Sequence, residues 1–144
     1  MPVKIYHDAI FSIANGDIIL SNTAARAFEA VLTNTAFVAT DTFLSAIVTA
    51  GNSANVPLVN ISFDKTTSAG NSIWKTGTAD YLTWTLTGMS NANAVVFYAN
   101  TGAAAAATKL IGHYTLSTWF NGVANDTLTL YTNGGIIRFD DPNT

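Results

Sequence analysis

Charge and cysteine are what this sequence has least of. Cysteine is absent altogether, which excludes a thiol nucleophile, a cysteine zinc site and a disulfide framework. Only 10% of the 144 residues are Asp, Glu, Lys or Arg, against about 25% in ordinary soluble domains. Six basic residues face nine acidic ones, for a net charge of -3. That balance cannot neutralise a run of phosphates, so nucleic acid is not an expected partner. Long apolar runs are missing too. Asp, Asn, Lys or Gly interrupts each of them well short of the roughly 18 residues that a membrane span requires. The start, Met1-Pro-Val-Lys-Ile-Tyr-His-Asp8, lacks the basic region and apolar stretch of a signal peptide, which predicts synthesis in a cytoplasm.

What is present is apolar and uncharged. Hydrophobic residues make up 49% of the chain and the mean hydropathy is +0.28, which excludes a disordered chain. The length suits one domain with a core that needs neither disulfides nor metals. Thr, Asn, Ser and Ala take the place of charge. A surface of hydroxyls and amides dissolves well enough but repels other copies poorly. It fits either a surface that meets protein or a monomer with a neutral surface.

Short segments of Val, Ile, Thr and aromatics alternate with Asn, Gly and Asp, the texture of all-β sandwiches and barrels. Tyr81 to Thr87 alternates strictly, placing Leu82, Trp84 and Leu86 on one face and Tyr81, Thr83, Thr85 and Thr87 on the other. Gly88 closes that strand and Ser90 to Asn93 supplies a turn. Ala94 to Ala99 reads as a central strand, apolar on both faces. Asn100 to Gly102 turns the chain. Ala103 to Ala107 is too short to nucleate a helix alone and reads as a hairpin loop. Lys109 to Thr115, Thr127 to Tyr131 and Gly135 to Phe139 are further strands, the last two joined by the Asn-Gly hairpin turn Thr132 to Gly135.

The first half is softer. Ile5 to Ile13 fits both helix and strand periods in part. Asn15 to Asp17 turns into Ile18 to Leu20. Ala27 to Thr33 is a strand with Phe28, Ala30 and Leu32 on one face. Asp41 to Ile47 is the predicted helix, with Asp41 capping the first turn. Leu58 to Phe63 is a strand with Val59, Ile61 and Phe63 inward. The expected fold is all-β: a single β-sandwich over residues 1–144, of jelly-roll or Greek-key type, with about eight strands and one short helix. A short N-terminal arm, 1–6, and a polar C-terminal tail, 140–144, flank it.

The order of these elements carries a resemblance. Val3-Lys-Ile-Tyr6, the strand from Phe28 to Thr33 and Asp41-Thr-Phe-Leu44 are followed by Ala94-Val-Val-Phe-Tyr-Ala-Asn-Thr-Gly102. After a small-residue loop come Leu110-Ile-Gly-His-Tyr114 and Thr127-Leu-Thr-Leu-Tyr-Thr-Asn-Gly-Gly-Ile-Ile-Arg138. This layout resembles the small virion structural proteins of tailed bacteriophages, the head decoration or cement proteins. The most specific parts are Tyr98 to Gly102 and the final Gly-Ile-Ile; the alanine-rich loop departs from the pattern. The resemblance implies a non-enzymatic capsid protein on the outer surface of the phage head, made in the bacterial host cytoplasm. Its partner would be the major capsid protein, and it would form a homo-oligomer, a dimer or trimer. The alternative is a receptor- or glycan-binding module of a head fibre or tail.

No motif points to catalysis. His7 and His113 lie more than a hundred residues apart, without the spacing of a metal site. Asp140-Asp141 sits on a Pro-containing tail, where carboxylates are solvated. Asn52 to Asn55 and Asn121 to Asp126 supply amides but few carboxylates for calcium. Gly134-Gly135 lacks the lysine and helix of a phosphate loop. The serines lack a Gly-x-Ser-x-Gly elbow. The expectation is therefore no enzyme, no cofactor and no metal. Trp84 alternates with leucines and belongs to the core. Trp119-Phe120, read as lying between strands, either plugs the end of the sandwich or anchors a partner. Trp74 in the 72–77 connection poses the same choice. Candidate interface residues are Pro2, Val3, Ile5 and Tyr6 of the arm, with Trp74, Trp119 and Phe120.

Overall fold

The computed structural model describes residues 3–50, 55–58, 61–65, 72–75, 81–132 and 135–139. The chain folds as an all-β sandwich with one short α-helix. One sheet has five antiparallel strands: β1 (Lys4–Ile5), β2 (Phe28–Thr33), β3 (Val56–Pro57), β7 (Ser90–Ala99) and β8 (Leu110–Gly122). Their order across the sheet is β1-β8-β7-β2-β3. The opposing layer holds a three-stranded sheet of β4 (Ser62–Lys65), β5 (Ser72–Lys75) and β10 (Ile137–Phe139), and the pair β6 (Tyr81–Thr85) with β9 (Thr127–Tyr131).

Period-two alternation decides what packs between the layers. Phe28, Ala30 and Leu32 of β2 and Val95 and Phe97 of β7 meet Leu82, Trp84, Leu130, Ile136 and Ile137 in one buried cluster. The other face of the large sheet is also covered. Val31, Val96, Tyr98 and Leu110 pack there against Tyr6, Ala9 and Ile47. Strand β2 and residues 94–99 of β7 are thus buried on both faces, which is why Ala94 to Ala99 reads as apolar on both.

Several expectations are corrected. The α-helix is α1, His7–Asn15, and not the 41–47 segment. Gly16, at φ 86°, closes α1 in the left-handed region that favours glycine, its N–H returning to the Ile13 carbonyl. Between 41 and 47 there is only a three-residue 3-10 turn, Leu44–Ala46, and no side chain caps it. The Leu44 N–H bonds to the Thr108 carbonyl and the Leu110 N–H to the Thr42 carbonyl. An isolated antiparallel bridge between Phe43 and Lys109 thus holds this stretch extended and takes the Thr42 carbonyl that a helix would use. Ser90 to Asn93 is the beginning of β7 and not a turn.

Of the segment read as one strand from Leu58 to Phe63, only Ser62 and Phe63 belong to a strand, β4; Leu58, just after β3, and Ile61, just before β4, are buried. Val59, the tip of the Asn133-Gly134 turn and the tail 140–144 lie outside the described residues. The flanks of that turn do not form a hairpin: β9 pairs with β6, and β10 with β5. The alanine run carries a single 3-10 turn, Ala105–Ala107, exposed to solvent.

Candidate binding surfaces

The N-terminal arm is part of the fold. Lys4 pairs with His113 and Ile5 with Gly112, adding β1 to the edge of β8. Val3 and Ile5 are half-buried. Tyr6 is completely buried, stacked at a tilt on Phe37, and so is not available to a partner. Pro2 lies outside the described residues. Gly112 is what lets β1 approach: a Cβ there would come within 2.5 Å of Val3 Cγ1.

Trp74 belongs to the core as well. It lies in β5 and not in a connection, fully buried. Its indole N–H donates to the Leu20 carbonyl at 2.9 Å, and its ring meets Phe28 edge-on at 5.1 Å. Neither role leaves surface for an interface.

Trp119 and Phe120 part company. Both lie within β8, but the register of β7 and β8 breaks beside them. Ala92 pairs with Phe120 and Ala94 with Thr115, so two steps along β7 match five along β8. The excess residues bulge outward, a device that re-aims side chains. Phe120 packs half-buried against the core, while Trp119 is left 57% exposed. The adjoining β9 edge closes a groove of about 360 Å³, lined by Trp119, Phe120, Leu128, Tyr131 and the hydroxyl-bearing residues Tyr114, Ser117, Thr118 and Thr129 among others. Among the described residues no charged side chain lines it.

Next to that groove runs the outer face of the β6–β9 pair. The register sets Tyr81 opposite Tyr131, Thr83 opposite Thr129 and Thr85 opposite Thr127. All six are exposed, and the Thr83 and Thr129 hydroxyls bond at 3.1 Å. The hydroxyl-rich face expected from alternation is therefore a cross-strand ladder.

A second apolar surface, missed in the sequence, lies on α1. Its inward side carries Ala9 and Ser12, both fully buried, while Ile10 and Phe11 stand 56% and 64% exposed. Ile13 packs half-buried against the core, so the inner side is partly apolar, yet two large apolar residues face outward where an amphipathic helix usually places polar ones. Polar bonds explain the placement. The Ser12 hydroxyl donates to Asp8 Oδ2 at 3.1 Å and accepts from Lys109 Nζ at 2.6 Å. Lys109 also lies 3.3 Å from Asp8 and 3.6 Å from Asp17. Ile19, just past the helix, is exposed too.

The remaining polar groups are structural. The buried Glu29 carboxylate is ion-paired with Arg26 and accepts the Tyr98 hydroxyl at 2.5 Å. The Asn55 amide donates to that same hydroxyl at 2.6 Å. Burial, with the Glu29 carboxylate beside it, holds the Tyr98 phenol far above its ordinary range and therefore protonated. His113 is buried with Nε2 3.1 Å from the Thr35 carbonyl. That carbonyl can only accept, so Nε2 carries the proton. Burial, and secondarily the nearby Lys4, lower the pKa of this ring. His7 is exposed on α1. Asp126 accepts the Val123 N–H at 2.9 Å and closes the turn after β8. Among the described residues no three His, Cys, Asp or Glu gather as a metal site, and no helix is long and apolar enough to cross a membrane. Asn52, Gly134, Asp140 and Asp141 lie outside those residues. In comparison with known proteins, no protein-family model matches the chain, and neither a curated protein nor a solved structure does.

Proposed function

We propose that this chain is a non-enzymatic structural protein of a tailed-phage virion, which binds the outside of the assembled head and holds neighbouring capsid subunits together. The order of its sequence segments resembles that of the decoration proteins, and the outward face of α1 carries the reading. Ile10 and Phe11 are exposed on a helix whose buried side holds a serine. Large apolar side chains presented in this way mark a protein contact. The contact surface is therefore Ile10, Phe11 and Ile19, in place of the arm residues that the sequence suggested. The major capsid protein is the partner. A protein that binds only the assembled shell stabilises it by mass action, and sites on capsid axes favour a dimer or trimer of the bound protein.

The test is co-sedimentation of the purified protein with expanded heads that lack it, followed by melting of the shell. The wild-type protein should sediment with the heads and raise their melting temperature. The double variant Ile10→Ser/Phe11→Ser should fold, because both side chains are exposed, and should remain in the supernatant. Wild-type protein that stays in the supernatant refutes the proposal.

A further inference from the structure

We infer that the groove between the β8 bulge and β9 is a binding site for a neutral saccharide, with Trp119 and Tyr131 as its stacking platforms. This goes beyond the decoration reading and does not rest on it, since none of the groove residues belongs to α1.

The lining chooses the chemistry. Among the described residues no Lys, Arg, His, Asp or Glu lines the groove, which gives a charged ligand no ion-pair partner there. Wholly apolar ligands are also a poor match, because the hydroxyl-bearing residues Tyr114, Ser117, Thr118 and Tyr131 line the same walls. Each hydroxyl both donates and accepts. A ligand that answers both features has apolar faces, many hydroxyls and no charge, which describes a sugar ring. Trp119 and Tyr131, 57% and 65% exposed, offer such a ring flat apolar surfaces with polar tips. The groove, at about 360 Å³, falls within the size range of small-molecule sites.

Geometry argues against the competing occupant, a strand from a second copy. Strand addition needs a regular edge whose N–H and C=O groups alternate in register. The excess residues between Thr115 and Phe120 break that register on β8, and a bulge is one of the ways in which proteins blunt an edge against pairing. The same bulge is what turns Trp119 outward.

The tryptophans make the test direct. Trp74 and Trp84 are fully buried, so a ligand in the groove acts on the emission of Trp119. The full-length protein is titrated with cellotetraose, maltotetraose and chitotetraose up to about 10 mM, a ceiling that captures weak millimolar binding. At least one should give a saturable change in emission, reproduced as heat in calorimetry. Tyr131→Ala, which keeps the reporter, should raise Kd by about tenfold, as loss of one aromatic contact implies. Trp119→Ala should abolish the calorimetric heat with its melting temperature unchanged, and Thr85→Ala, exposed outside the groove, should bind like wild type. Absence of saturation with all three sugars overturns the assignment. Retained binding in Trp119→Ala overturns it as well. So does an emission shift that follows protein concentration and ignores sugar, which would mean that a second copy covers the groove.

Discussion

Trp74 and Trp84 are both wholly buried in the same cluster, yet their indole N–H groups differ. That of Trp74 donates to the Leu20 carbonyl at 2.9 Å, whereas that of Trp84 has no partner among the described residues. Replacing either by Phe removes the same atoms. The lost volume is roughly 40 Å³, which at about 24 cal/mol per Å³ costs about 1 kcal/mol. For Trp74→Phe, the Leu20 carbonyl is also left unpaired in a buried site, at about 1–3 kcal/mol. The total is about 2–4 kcal/mol. For Trp84→Phe no hydrogen bond is lost, and a desolvated donor disappears, so the net cost is about 1 kcal/mol or less. Urea unfolding gives both values, and in a domain of this length each kcal/mol corresponds to about 3 °C in Tm. Trp74→Phe should therefore melt at least about 3 °C below Trp84→Phe. Equal losses, or a larger loss in Trp84→Phe, would refute the claim that the Leu20 bond anchors β5.

Two further perturbations probe the packing of the N-terminal arm. The pKa of His113 is lowered by burial, so below about pH 6.5 the unfolded chain takes up a proton that the folded one resists. Stability should be complete above that pH and decline toward pH 5, with a slope of at most about 1.4 kcal/mol per pH unit from this group. In His113→Phe that part of the slope should vanish; urea midpoints at pH 7.5 and 5, approximate choices on either side of the ordinary histidine range, compare the two proteins. Gly112→Ala places a Cβ within 2.5 Å of Val3 Cγ1 and 3.4 Å of the Lys4 carbonyl. It should cost about 1–3 kcal/mol as an overpacking substitution and speed amide exchange at Tyr6, whose N–H bonds to the Ile111 carbonyl. A silent Gly112→Ala would show that β1 is not seated on β8.

Much of the sheet structure is legible in the sequence because alternation there is governed by burial on one side. Tyr81 to Thr85 and Thr127 to Tyr131 form strands whose threonines face out, and they turn out to be each other's partners. Phe28, Ala30 and Leu32 face the core as their spacing implies. What escapes is what depends on tertiary bonds. Asp41 to Ile47 has the pattern of a helix, yet Thr42 bonds to Leu110 at the start of β8 and Leu44 to Thr108 just before it. In α1 a network of Ser12, Asp8 and Lys109 decides which side is buried, and it does so against the hydrophobic pattern. Trp74 lies in a strand of only four residues, too short for period two to declare itself. Trp119 is exposed beside a break in register between β7 and β8, a property of the pairing that the pattern along one strand cannot contain. Of the candidate surface, the threonine faces are thus visible in the sequence, while the apolar face of α1 and the groove are properties of the fold.

The low charge of the chain acquires a physical meaning from these surfaces. A ladder of threonines and tyrosines, an uncharged groove and an apolar helix face are compatible with dense packing beside other copies, where like charges would repel. The claim that joins them is that the protein covers a capsid, and the number of copies per particle tests it most directly. In purified virions that carry the protein, quantitative mass spectrometry against the major capsid protein should give a copy number on the order of hundreds, in a fixed ratio set by the symmetry of the shell. A handful of copies per particle, or none, would contradict it.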